Sequence, residues 1–160
     1  MAKIPVFVSC PTILNERQEK YNKKIDGMLS RYGLERRALG RSDYPLDYPL
    51  KEVYALAKHC AGGIILGFEQ IYLEKGTAKR ETDEESAIAK VSLPTAWNNL
   101  EAGILYSLGL PLLIIKEQSV SGGIFDIGTS DKYVHCFESG AKLDAVFANW
   151  TAKVYEKYKE

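Results

Sequence analysis

In the stretch LPTAWNNLEAGILYSLGLPLLII, residues 93–115, Trp97 and Glu101 have the types and spacing to do chemistry. Four positions apart on a helix, they share one face, a turn from each other. A carboxylate beside an aromatic ring can steady a developing positive charge or attack carbon as a nucleophile. The competing reading is a solvated helix glutamate, the common fate of a good helix former that is mostly exposed. A second arrangement is a Cys–His nucleophile pair, built from Cys10 and either His59 or His135, with Cys10 activated by a helix start beside it. Free cysteines are more often plain core, and His135 within YVHCF reads as a strand histidine with its hydrogen bond satisfied. No His, Cys or carboxylate falls at metal-ligand spacing, so no metal is expected.

Glu101 can act only if the fold carries it to a pocket. Short apolar, β-branched runs predict strands over 3–10, 34–39, 62–67, 112–115 and 133–137. Between them, apolar residues at helical spacing predict helices over 13–32, 50–60 and 95–108, and a last one carrying Leu143, Val146, Phe147, Trp150 and Val154. The stripe predicted for the helix of Glu101 is Leu100, Ile104, Leu105 and Leu108. Gly40, Pro45 and Pro49 mark a loop, and Pro49 can open the helix that follows. From Phe68 to Leu93 periodicity is lost and charge gained, which reads as a long solvated loop or a lid.

Five strands alternating with helices imply an α/β fold: a five-stranded parallel sheet with helices on both faces, of flavodoxin-like order 2-1-3-4-5. Ligands then bind outside the carboxyl ends of the strands, where the first and third diverge. That nominates Ser9, Cys10 and Pro11 after the first strand, Gly67 and Phe68 after the third, and Trp97, Asn98 and Glu101 at the amino end of the facing helix.

Composition bounds the partners. The 160 residues, 46% hydrophobic and 26% charged, suit a single globular domain spanning 1–160. Lys plus Arg equals Asp plus Glu at 21 each, so nucleic acid would need a local basic patch. Only Arg36, Arg37 and Arg41 lie close together. No apolar stretch approaches the ~20 residues that span a bilayer, and the N-terminus lacks the form of a secretory signal. The three widely spaced cysteines are unlike a disulfide framework, which favours a reducing cytoplasm.

The W-x-x-x-E pattern of Trp97 and Glu101, with the Ser-containing first strand PVFVSC, resembles TIR domains that cleave NAD. TAWNNLEAGILYSLGLPLLII also resembles a segment of nucleoside 2-deoxyribosyltransferases. Where TIR domains usually carry an aromatic after the serine and a cysteine after the tryptophan, this chain has Cys10 and Asn98. Both resemblances imply the flavodoxin-like core and a glutamate acting on an N-glycosidic bond. They imply that Glu101 stabilises or attacks the oxocarbenium-like ribose carbon. Trp97 would stack on base or sugar, Phe68 would close the base pocket, and backbone N–H groups of Ser9 to Thr12, opening the first helix, would meet a phosphate. The TIR resemblance makes NAD the expected substrate rather than a cofactor, in bacterial antiviral signalling, with ADP-ribose or a cyclic product. The alternatives are a deoxyribosyltransferase or nucleoside hydrolase, and a non-catalytic sensor of a nucleotide messenger. A homo-oligomer is implied by both families, with no nucleic-acid or membrane partner expected.

Overall fold

The computed structural model describes residues 2–39 and 48–160. In chain order its elements are β1 (Ile4–Ser9), α1 (Glu16–Arg31), β2 (Leu34–Arg37), α2 (Pro49–Ala57), β3 (Gly63–Gly67), β4 (Ile71–Ala78), β5 (Ser86–Leu93), α3 (Ala96–Ser107), β6 (Leu112–Lys116), β7 (Val134–Cys136) and α4 (Ala141–Lys159). Short 3-10 turns lie at Gly123–Phe125 and Phe137–Ser139. Five strands form one parallel sheet in the order β2-β1-β3-β6-β7. Among the five parallel strands this is the expected flavodoxin-like order, with β2 at an edge. The loop expected at 40–49 falls mostly outside the described residues, as does Arg41.

Strand parity sorts the core into two layers, because successive side chains point to opposite faces of a sheet. Val6 and Val8 of β1, Ile64 and Leu66 of β3, and Leu113 and Ile115 of β6 pack against Ile25 and Leu29 of α1 and Phe147 of α4. Phe7, Ile65 and Ile114, of the other parity, pack against Val53 and Ala57 of α2 and Ala102 and Leu105 of α3. Trp150 of α4 ties its layer to the sheet by donating Nε1–H to the Pro111 carbonyl at 2.9 Å. No helix among the described residues is long and apolar enough to cross a membrane.

The segment from Phe68 to Leu93 is not a structureless loop. It forms an antiparallel hairpin, β4 against β5, in register from Ile71↔Leu93 to Ala78↔Ser86. Most of its side chains on both faces meet solvent. A strand with no core face has no reason to alternate apolar with polar residues, so the periodicity that marks a half-buried strand is missing. Gln70 N to Leu93 O (2.9 Å) closes the hairpin root, and Ser121 N to Ser92 O (3.0 Å) with the Ser92↔Val120 bridge stitches it to the body.

Two helix boundaries and two stripes also differ from expectation. α1 starts at Glu16 because Asn15 caps it: Asn15 Oδ1 accepts from Gln18 N at 2.9 Å, and Gln18 Oε1 accepts from Asn15 N at 3.0 Å. α2 ends at Ala57, before Cys60, and buries Val53 and Ala57 while Leu50 and Tyr54 stay half exposed. The face of α3 that meets the sheet is Asn98, Ala102 and Leu105, whereas Leu100 and Ile104 turn toward α2. A polar residue, Asn98, holds the first position of the buried stripe, and this rotates the helix relative to its apolar pattern.

Candidate functional site

Glu101 reaches its position through three local causes. Pro94 precedes the helix, and the Thr95 side chain accepts from Trp97 N at 3.3 Å, capping α3 so that Trp97 falls in the first turn. Asn98 then faces the sheet, and Glu101, one turn further, stands beside it over the end of β1. Ser9 has the parity of Phe7, so its hydroxyl points to α3 and not into the opposite layer.

The polar contacts there centre on Asn98. Asn98 Nδ2 donates to Ser9 Oγ at 2.9 Å and lies 3.3 Å from the Leu66 carbonyl and 3.5 Å from that of Ser9. Ser9 and Asn98 are fully buried. Burial pushes the Glu101 carboxyl up from 4.5 to about 7, and the Ser9 hydroxyl opposes this by favouring the ionised form.

A cleft of about 450 Å³ opens over Glu101, within the size range of small-molecule sites. Cys10, Pro11, Thr12 and Ile13, following β1, form one wall. Leu39 with Pro49 and Val53 of α2 forms another, and Gln70, Thr95 and Trp97 complete the rim. Gln70 also joins two walls, donating to the Ile13 carbonyl at 3.2 Å. Among the described lining residues Glu101 is the one charged side chain. Trp97 is 41% exposed, so its ring is open to a planar ligand and is not core.

The residues nominated from sequence separate into three groups. Cys10, Pro11, Trp97 and Glu101 line the cleft. Ser9 and Asn98 lie behind it, buried and bonded to protein atoms instead of facing a ligand. Gly67 and Phe68 are not at the cleft. A Cβ at Gly67 would lie 2.6 Å from the Phe125 ring, so packing requires the glycine. Phe68 shares the parity of Ile64 and Leu66, is fully buried in the α1/α4 layer and stacks on Phe137 with centroids 4.9 Å apart. It cannot close a pocket on the other face.

Two other expectations fail on geometry. The backbone from Ser9 to Thr12 does not open a helix, since α1 begins at Glu16 and Asn15 already occupies the Gln18 N–H. The Cys10 thiol lies 3.4 Å from the Pro11 carbonyl and 3.8 Å from Asn22 Oδ1, so its near polar neighbours are oxygens and not an imidazole. His59 precedes β3 and so sits at the opposite end of the sheet. His135 is on β7, three strands from β1, or roughly 14 Å at the usual spacing. Burial first, then Lys142, lowers the His135 pKa. Among the described residues, no group of three or more His, Cys, Asp or Glu could hold a metal ion. Arg36 is committed to Asp26 (2.8 Å) and Asn22 Oδ1 (2.6 Å) instead of forming a basic patch.

One buried carboxylate was not foreseen. Glu117, just past β6 and 3% exposed, accepts from Arg17 Nη2 (2.8 Å), Gln18 Nε2 (2.7 Å) and Glu69 N (2.9 Å). It binds α1 to the hairpin root, where Glu69 Oε2 accepts from the Ser92 hydroxyl at 2.5 Å. The signal was its place directly after the buried run LLIIK, where a strand end meets the carboxyl edge of the sheet.

No family model matches the chain, and comparison with curated proteins and with solved structures returns no match.

Proposed function

We propose that this chain breaks or transfers the N-glycosidic bond of a nucleotide, with NAD the leading substrate. The observation that carries this reading is Glu101: a half-buried carboxyl, its pKa raised by desolvation, facing a ligand-sized cleft beside an open tryptophan ring. Cleavage of the ribose C1'–N bond builds positive charge on the sugar while the pair of bonding electrons leaves with the base. The ionised carboxylate of Glu101 stabilises that charge or bonds to the carbon, and water or a hydroxyl of the same ligand then completes the transfer. From NAD the products are nicotinamide and either ADP-ribose or a cyclic form of it, a signal suited to bacterial antiviral defence. Trp97 stacks on the ligand.

A second reading, a deoxyribosyltransferase or nucleoside hydrolase, draws on one observation: the described lining offers no cation for a phosphate and is mostly apolar. We further propose that the protein acts in the cytoplasm, consistent with three free cysteines, and as a homo-oligomer. Support for association comes from the exposed apolar groove between α2 and α3, where Tyr48, Leu50, Tyr54 and Leu100 adjoin the cleft. The test is incubation of the purified protein with NAD and, separately, with deoxynucleosides, followed by chromatography of the released base. Nicotinamide release supports the first reading and base release from deoxynucleosides alone the second. Binding of a nucleotide without cleavage would make the chain a sensor.

A further inference from the structure

The side-chain amide of Gln70, on the rim of the cleft, has a fixed sense. Its Nε2 lies 3.2 Å from the Ile13 carbonyl and 3.1 Å from the Glu69 carbonyl. Carbonyl oxygens only accept, so both contacts require the amide nitrogen, and the flipped orientation would set Oε1 against two oxygens. An amide nitrogen carries two hydrogens, and these two carbonyls take both. What Gln70 has left to offer the cleft it lines is therefore Oε1, a hydrogen-bond acceptor.

The residue is also anchored from behind. The Glu69 carbonyl accepts from Gln18 Nε2 at 3.1 Å as well as from Gln70, and the Glu69 N–H donates to Glu117 Oε1 at 2.9 Å. Gln18 and Glu117 are each 3% exposed, so the backbone that carries Gln70 is tied to buried groups. The Gln70 N–H itself donates to the Leu93 carbonyl at 2.9 Å. A side chain held in this way loses little further freedom when it meets a ligand.

We propose that Gln70 determines specificity in this cleft, its Oε1 accepting from the N–H2 of a carboxamide on a pyridine ring that stacks on Trp97. The proposal rests on the reading of NAD as substrate, whose departing base carries that group. A ring with a donor at this place meets an acceptor that is already oriented. A ring without one displaces water from Oε1 and returns nothing, which costs affinity. Glu101 and Gln70 then act at different ends of one ligand, the carboxylate at the sugar carbon and the amide oxygen at the base.

The experiment compares two free pyridines on the full-length protein by isothermal titration: nicotinamide, and its acetyl analogue, in which a methyl group replaces the amide nitrogen. Both are neutral, so the charge of Glu101 does not discriminate between them. The parent should bind nicotinamide at least about tenfold more tightly, the effect of leaving one oriented acceptor unpaired. Gln70→Leu, which keeps much of the bulk of the side chain, should bring the two within about threefold. That variant also breaks the bond to Ile13, so a role confined to holding the wall would weaken both pyridines alike and leave their ratio unchanged. An unchanged ratio in Gln70→Leu, equal binding by the parent, or binding of neither pyridine overturns the proposal. Cleavage separates it from the reading on which it rests. A preference for nicotinamide in a parent that leaves NAD intact keeps Gln70 and removes the glycosidic reading, whereas cleavage of NAD and of its acetylpyridine analogue with equal kcat/KM removes Gln70 alone.

Discussion

At the residue scale the proposed chemistry depends on Glu101, whose carboxyl is raised by burial from 4.5 to about 7. A group raised on folding binds its proton more tightly in the native state. Its stabilisation is fully present below about 4.5 and is lost as pH rises through about 7. Glu101→Gln does not titrate, so the parent should lose stability relative to it across that window. At about pH 8 the Gln variant should be the more stable, seen as a higher Tm. Turnover runs the other way, because only the carboxylate can stabilise or attack a cationic carbon. The kcat/KM profile should rise with pH through about 7. A limb falling through that value would make Glu101 a proton donor instead. For Trp97, half exposed, Trp97→Ala should leave Tm nearly unchanged and raise KM about tenfold, the usual worth of one stacked base, with Trp97→Phe recovering most of it.

At the element scale the cleft is held by connections between pieces far apart in sequence. Glu117 gathers donors from α1 and the hairpin root, and these are the segments that carry Ile13 and Gln70 to the cleft. Glu117→Ala would leave Gln18 Nε2 and the Glu69 N–H without this acceptor. It should cost about 2–3 kcal/mol in urea unfolding. The parallel strands were legible in the sequence because strands buried on both faces read as unbroken apolar runs. The hairpin was not, since neither of its faces is covered and no apolar alternation results. Glu101 and Trp97 were legible from their helical spacing. The bond between Ser9 and Asn98 was not, because it joins residues 89 positions apart and depends on the register of a helix against a strand. The exclusion of Phe68 was available from parity with Ile64 and Leu66, a signal stronger than its place after the third strand. The Asn15–Gln18 capping box was likewise visible as spacing, and it marks the start of α1 better than the first apolar residue does.

At the scale of the whole molecule, equal numbers of basic and acidic residues leave no net charge to hold copies apart. The proposed homo-oligomer would use the groove of Tyr48, Leu50, Tyr54 and Leu100 as its contact. Tyr54→Lys should shift the sedimentation coefficient toward the monomer, with turnover falling at high dilution of the parent. A parent that is monomeric and fully active at every concentration would remove the proposed oligomer. All of the functional reading converges on one side chain, and the most direct test is to compare nicotinamide release from NAD by the parent and by Glu101→Gln, with NAD affinity and Tm measured on the same samples. The parent should release nicotinamide. The Gln variant should bind NAD, melt no lower than the parent and turn over at least about a hundredfold more slowly, the loss expected when about 3 kcal/mol of transition-state stabilisation is removed. Undiminished release by the Gln variant, or no release by a parent that binds NAD, would contradict the assignment of Glu101 as the residue that cleaves it.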